Sequence, residues 1–170
     1  DLDGDGKAEI VCKTADGTTD SKGIIIGDAS KDYRNAEGRI LEGAEFFTVF
    51  NGQTGEALAT MEYLPSRFPI DSWGTTEHND RNGNRADRFL ACVAYLDGKQ
   101  PSVIMCRGYY ARTVLAAWDW RNGKLASRWV FDTKNGFSQY EGQGNHNLTA
   151  ADIDKDGKDE IVFGAMVVDD

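Results

Sequence analysis

Residues 1–11, DLDGDGKAEIV, return almost unchanged at 152–162 as DIDKDGKDEIV. In each copy acidic residues stand at the first, third and fifth positions, a glycine follows, and a glutamate precedes a short apolar run. Such a run after a tight acidic loop reads as a strand rather than a helix. Oxygen donors at positions 1, 3, 5, 7 and 9 are the hard ligands that Ca²⁺ prefers over softer transition metals. The first candidate loop offers Asp1, Asp3, Asp5, the carbonyl of Lys7 and Glu9. The second offers Asp152, Asp154, Asp156, the carbonyl of Lys158 and Glu160. An EF-hand needs a bidentate glutamate at the twelfth loop position and a helix after it. Cys12 and Phe163 occupy that position here, so these are loops between strands. Taken alone, each reads first as a turn stapled by an ion, which marks a repeat architecture more firmly than it marks an enzyme.

A third, acid-poor copy lies in VAYLDGKQPSVIM, where Asp97-Gly98-Lys99 matches Asp5-Gly6-Lys7 but Val93 and Tyr95 replace the earlier aspartates. Asp97 follows Asp5 by 92 residues and Asp156 follows Asp97 by 59. A unit of about 60 residues, expanded once by insertions, accounts for both intervals, and units of roughly 40 to 60 residues with about four strands each are the mark of propeller blades. The expansion falls in the polar stretches 16–44 and 64–87. Apolar runs separated by DG, NG and TG pairs predict strands at 8–14, 46–50, 57–63, 89–95, 102–107, 113–120, 125–131, 147–151 and 160–166, with hairpins across NGQTG and RNG. The fold class expected is all-β, in β-propeller blades with calcium loops.

The formal charge of −9 over 170 residues argues against a nucleic-acid or anionic-membrane partner and makes metal cations the natural counter-charge. No stretch reaches the roughly 18 apolar residues of a membrane-spanning helix. Cys12, Cys92 and Cys106 each sit singly in an apolar run and are expected to be buried free thiols. The first residue, Asp1, already lies inside a motif, so the chain reads as processed or excised.

Other candidates lie in loops. His146 in GQGNHNL suits a loop that delivers a ring to an open site, while a hydrogen-bonded structural role is the competing reading. His78 in WGTTEHND is a weaker candidate. In RGYYAR, the alternation of Arg107, Tyr109, Tyr110 and Arg112 suits an anionic sugar, with Tyr stacking and Arg pairing a carboxylate. Packing with snorkelled arginines is the alternative.

The runs KTADGT, GNRADRFLACVAYLDGKQPSVIMCRGYYARTVLAAWDWRNGK and GQGNHNLTAADIDKDGKDEIVFGAM resemble the rhamnogalacturonan lyases of polysaccharide lyase family 11, built on an eight-bladed β-propeller. The likeness extends over essentially the whole chain. It implies a partial β-propeller catalytic domain over 1–170, about two to three blades of a longer protein. It further implies a secreted or periplasmic bacterial enzyme, monomeric at full length, that binds Ca²⁺ and cleaves the galacturonate-rhamnose backbone of rhamnogalacturonan I by β-elimination. Under that resemblance His146 becomes a calcium ligand or neighbour, and Arg107, Tyr109, Tyr110, Arg112 and Asn145 become substrate-binding residues. The catalytic residues are expected largely outside this chain, and the isolated 170 residues are expected to be inactive. A non-catalytic, calcium-stabilised module for carbohydrate binding or adhesion is the rival expectation. Family members are several times longer, and WGTTEHNDRNGNRAD exceeds the family pattern, leaving Glu77 and His78 uninterpreted.

Overall fold

The computed structural model describes residues 1–74 and 82–170; Glu77 and His78 lie outside the described residues. Strands and turns make up nearly all the regular structure. The strands are β1 (Glu9–Ala15), β2 (Thr18–Thr19), β3 (Ile25–Ile26), β4 (Glu45–Asn51), β5 (Ala57–Glu62), β6 (Phe89–Ala94), β7 (Ser102–Arg107), β8 (Val114–Arg121), β9 (Lys124–Asp132), β10 (Leu148–Ala151), β11 (Glu160–Phe163) and β12 (Met166–Val168). Two single-turn 3-10 segments cover Ile70–Trp73 and Ser138–Tyr140.

The chain divides into two units, Asp1–Arg67 with Trp120–Leu125, and Phe68–Asp119 with Ala126–Asp170. In the first, β1 pairs antiparallel with β4, and β4 with β5 through the expected hairpin, with a bulge between Val49 and Phe50. Phe47 and Val49 are fully buried. Between them Thr48 is buried too, and its hydroxyl meets those of Thr14 at 2.7 Å and Thr60 at 3.1 Å. That ladder lets a polar side chain occupy a core position without an unpaired hydroxyl. The expanded stretch 16–44 carries one small antiparallel pair, β2 with β3.

In the second unit β6, β7, β8 and β9 form an antiparallel four-stranded sheet in sequence order, apart from the β8–β9 tip that groups with the first unit. Every residue of β7 is buried and β8 nearly so. A central strand covered on both faces reads as a continuous apolar run, which explains SVIMC and VLAAW. A second sheet runs β10-β11-β12. The core joins Leu96, Ile104, Cys106, Leu115 and Ala117 to Leu148, Ile161, Phe163 and Met166.

One strand expectation fails. The segment 160–166 is not a single strand: it breaks at Gly164-Ala165 into the β11–β12 hairpin, with Phe163 opposite Met166. Gly164 has φ of 62°, and an added Cβ would lie 2.0 Å from the Gln143 carbonyl oxygen. A left-handed backbone and a close backbone neighbour together require glycine here.

The acid-poor copy keeps the hairpin plan of its relative. Ala94 faces Ser102 across the loop of β6 and β7, as Ala151 faces Glu160 across the loop of β10 and β11. Asp97 Oδ1 accepts from the Lys99 and Gln100 amides, both at 2.8 Å. The two loops also interlock: Tyr95 N–H donates to Asp159 Oδ2 at 2.7 Å, and Asp159 N–H donates to the Tyr95 carbonyl at 3.1 Å.

Candidate functional site

The acidic loops fold alike because each aspartate bonds its own downstream amides, as short acidic side chains do in turns. Asp1 Oδ2 accepts from Gly6 N–H at 3.0 Å and Asp152 Oδ2 from Gly157 N–H at 3.1 Å. Asp3 and Asp154 accept from the amides of Asp5 and Asp156, which accept in turn from Lys7 and Lys158. The ninth-position glutamate reaches back to the second residue of each loop, Glu9 to Leu2 N–H at 2.5 Å and Glu160 to Ile153 N–H at 2.7 Å. These bonds gather oxygens. Asp1, Asp3 and Asp5 bring carboxylate oxygens within 4.8 Å of one another, as do Asp152, Asp154 and Glu160, and also Asp156, Glu160 and Asp170. Glu160 is only 4% exposed, and its second oxygen, Oε1, is buried without a hydrogen-bond partner. An orphaned carboxylate oxygen in the interior costs several kcal/mol unless a cation meets it. The donor set is all oxygen, and it fits a hard divalent cation. Asp170 is a member that sequence spacing missed. Its carboxylate lies 2.7 Å from Lys158 Nζ, and that hydrogen bond holds the Lys158 ammonium above its ordinary pKa.

The RGYYAR segment divides by burial. Arg107 is fully buried; its Nε donates to the Ala86 carbonyl at 2.8 Å, Nη2 lies 3.6 Å from Asp87, and the guanidinium stacks 5.4 Å from the Trp73 ring centre. Arg112 lies over the same Trp73 at 4.4 Å, makes two bonds to the Asp132 carboxylate at 3.0 and 2.5 Å, and reaches Ser72 Oγ at 2.7 Å. Burial raises the Asp132 pKa, but the Arg112 bonds and the Lys134 amide outweigh it and hold the group below the ordinary carboxylate value. Tyr109 is buried in the core, edge-on to Phe163. Of the four RGYYAR residues expected to grip a sugar, three therefore fasten the loop from within, and Tyr110 is the one exposed, at 40%; Asn145, the fifth expected, is exposed as well.

Tyr110 is where the loops meet. Its hydroxyl hydrogen-bonds His146 Nε2, 36 positions later in the chain. Tyr110, Gly144, Asn145, His146 and Asn147 line an open pocket of about 460 Å³. The segment 143–146 is seated by backbone contact: Ala165 N–H donates to the Gln143 carbonyl at 2.9 Å, and Gly142 N–H to that of Ala111 at 2.9 Å. A Cβ on Gly144 would meet Phe163 at 2.6 Å and Tyr109 at 2.9 Å. Asn145 caps the turn, accepting from Asn147 N–H at 2.9 Å. His146 belongs to none of the carboxylate groups found among the described residues; there it pairs with a tyrosine. Two arginines not singled out from sequence complete the surroundings, Arg85 at 4.8 Å and Arg88 at 5.5 Å from the Tyr110 ring centre. A second pocket, of about 250 Å³, lies between Phe131, Phe137, Tyr140 and β12, and its lining is mainly apolar.

The three cysteines are free, as expected, but only Cys106 is buried outright; Cys12 and Cys92 are half-buried. Burial pushes the Cys92 thiol up to about 11, and Cys106 is also raised, so neither is a ready nucleophile.

Comparison with known proteins places these features in a family. The description "Rhamnogalacturonan lyase family 11, C-terminal domain" matches residues 1–170. The chain is 63% identical over 170 residues to rhamnogalacturonan exolyase YesX of Bacillus subtilis (strain 168), covering 99% of this chain and 27% of that protein. The crystal structure of YesX matches with a TM-score of 0.93. Rhamnogalacturonan endolyase YesW of the same organism is 56% identical over 170 residues, again 99% of this chain and 27% of the relative. The solved structure of a Bacillus licheniformis rhamnogalacturonan lyase matches with a TM-score of 0.93 and 59% identity over 99% of this chain and 28% of the other. The chain thus spans roughly a quarter of the length of the relatives it matches.

Proposed function

The chain belongs to rhamnogalacturonan lyase family 11, whose C-terminal domain it carries over its full length, and on that premise we propose that the complete protein cleaves rhamnogalacturonan I by β-elimination with Ca²⁺ bound. The observation that carries the reading is the match over residues 1–170, joined by two relatives named as an exolyase and an endolyase at 63% and 56% identity. The four-stranded β6–β9 sheet and the repeated strand-loop-strand plan support reading the sheets as blades of a larger propeller. The complete protein is read as a monomer that acts outside the cytoplasm.

Asp1, Asp3, Asp5, the Lys7 carbonyl and Glu9 would hold one calcium ion; Asp152, Asp154, Asp156, the Lys158 carbonyl and Glu160 another. The orphaned Glu160 oxygen is the feature that supports the second. Bound calcium supplies positive charge that orders these loops and, near a uronate, stabilises carboxylate charge. In the elimination, a base takes the C5 proton of a galacturonate, the C4–C5 double bond forms, and the C4–O bond to rhamnose breaks as the departing rhamnose oxygen takes up a proton. No water is consumed. His146 and Tyr110 face the pocket that such a sugar would enter, Asn145 offers an amide beside them, and Nδ1 of His146 remains for a cation because Nε2 is engaged by Tyr110. Arg107, Tyr109 and Arg112 serve the site by fixing the loop that carries Tyr110.

The test is the ultraviolet absorbance of unsaturated uronide when the complete protein meets rhamnogalacturonan I in the presence of calcium. A rise abolished by a chelator is the expected result. Saccharide binding with no rise would instead favour a non-catalytic binding module.

A further inference from the structure

Beside the Tyr110 ring, Arg88 is held differently from Arg107 and Arg112. Arg107 and Arg112 each have a carboxylate partner, Asp87 and Asp132. Arg88 is fixed only by neutral acceptors four residues back: Nε donates to the Asn84 carbonyl at 3.0 Å, and Nη2 to Asn84 Oδ1 at 2.5 Å. It makes no ion pair among the described residues, and Nη1 is not used in either bond. Its backbone is also tied to the site, since the Arg88 carbonyl accepts from Gly108 N–H at 2.8 Å, two positions before Tyr110. The guanidinium is therefore oriented, half-buried and, among the described residues, without an ion pair, in a chain whose formal charge is −9.

Arg85 brings a second guanidinium to the same ring. Both guanidinium groups lie on one exposed aromatic side chain, which concentrates hydrogen-bond donors for an anion beside that ring. A guanidinium pre-set on an aromatic ring loses little freedom when it pairs a planar carboxylate through two parallel bonds. A net-acidic protein repels an acidic polymer at long range, so recognition of its carboxylates must be local.

We infer that Arg88, assisted by Arg85 beside the Tyr110 ring, is the carboxylate-binding element of this pocket and sets its preference for an acidic over a neutral sugar residue. The inference rests on the lyase reading for the identity of the saccharide but has its own readout. Short rhamnogalacturonan oligosaccharides and their carboxyl-reduced counterparts are titrated by calorimetry into the complete protein, the wild type beside Arg88→Gln and Arg88→Lys. The wild type is expected to prefer the acidic saccharide about tenfold or more, the scale of one charge-assisted pair. Arg88→Gln is expected to erase the preference by weakening acidic binding while leaving neutral binding unchanged. Arg88→Lys keeps the charge, loses the fork, and is expected to retain an intermediate preference; it also gives a result should the glutamine variant fold poorly. Full wild-type preference in either variant, or no preference in the wild type, overturns the proposal. Turnover of the polymer is measured on the same preparations. Preference that depends on Arg88 without any turnover would refute the lyase reading and leave the subsite standing, whereas turnover with no Arg88-dependent preference refutes the subsite alone.

Discussion

Two loops of the second unit handle charge in opposite ways. Around Trp73, the cations are answered from within: Arg107 by Asp87 and the Ala86 carbonyl, Arg112 by Asp132 and Ser72. In the loop 152–160 the carboxylates are gathered with little in reply, Lys158 reaching only Asp156 at 3.4 Å and Asp170 at 2.7 Å while Glu160 Oε1 has no partner. Charge that closes on itself builds framework. Charge collected without an answer is what the proposed calcium site would use.

The hardest blow to this contrast should come at Asp132. Asp132→Ala strands a half-buried guanidinium and is expected to cost about 3 kcal/mol in denaturant unfolding of the complete protein, equally with calcium or chelator. If the cost disappeared in chelator, the framework reading of this pair would fail. The same pair has a pH signature. Because the folded Asp132 pKa lies below the ordinary 3.8, its contribution is complete above that value and is lost as the pH falls below it. Wild type and Asp132→Asn should therefore converge in stability at the acid end of a pH series. Next comes Glu160→Gln, expected to lower stability by about 2–3 kcal/mol in calcium, the scale of a ligand at a hundred times its dissociation constant, and to change little once chelator is present. An equal loss in both conditions would make the acidic loop framework after all. Tyr110→Phe should leave the melting temperature in place and reduce kcat/KM of the complete protein by about tenfold, since it removes only the hydroxyl that meets His146. Loss of folding without a selective kinetic effect would move Tyr110 into the framework class. The smallest effect belongs to Asp97→Asn in the acid-poor copy, about 0.5 kcal/mol and indifferent to chelator, because the amide oxygen can still accept from Lys99 and Gln100.

The strands were legible because β7 and β8 are uninterrupted apolar runs bounded by turn residues, and because NGQTG and RNG each carry the glycine a tight connection needs. The break at Gly164 was not, since EIVFGAM keeps an apolar pattern through it and the Gln143 carbonyl that enforces it lies far off in sequence. Both acidic loops could be read from spacing, while Asp170 joins only through folding. In RGYYAR the sequence offered four equal candidates. Trp73 takes in Arg107 and Arg112 and Phe163 takes in Tyr109, and nothing in the segment foretells either partner. Tyr110 and His146 each stood out, but their pairing is a long-range fact. Inside GNRADRF nothing marks Arg88, because what distinguishes it is that its bonds among the described residues go to Asn84 rather than to a carboxylate, which only a folded neighbourhood can reveal.

Two glycines of the loop at the pocket, Gly144 against Phe163 and Tyr109 and Gly164 against the Gln143 carbonyl, leave no room for a side chain. In a saturation mutagenesis experiment scored by turnover, both positions should look as intolerant as any residue of the proposed saccharide pocket. A map of mutational sensitivity would thus extend the site too deep, and the residues that touch a ligand would have to be separated from those that the core itself leaves no room to enlarge.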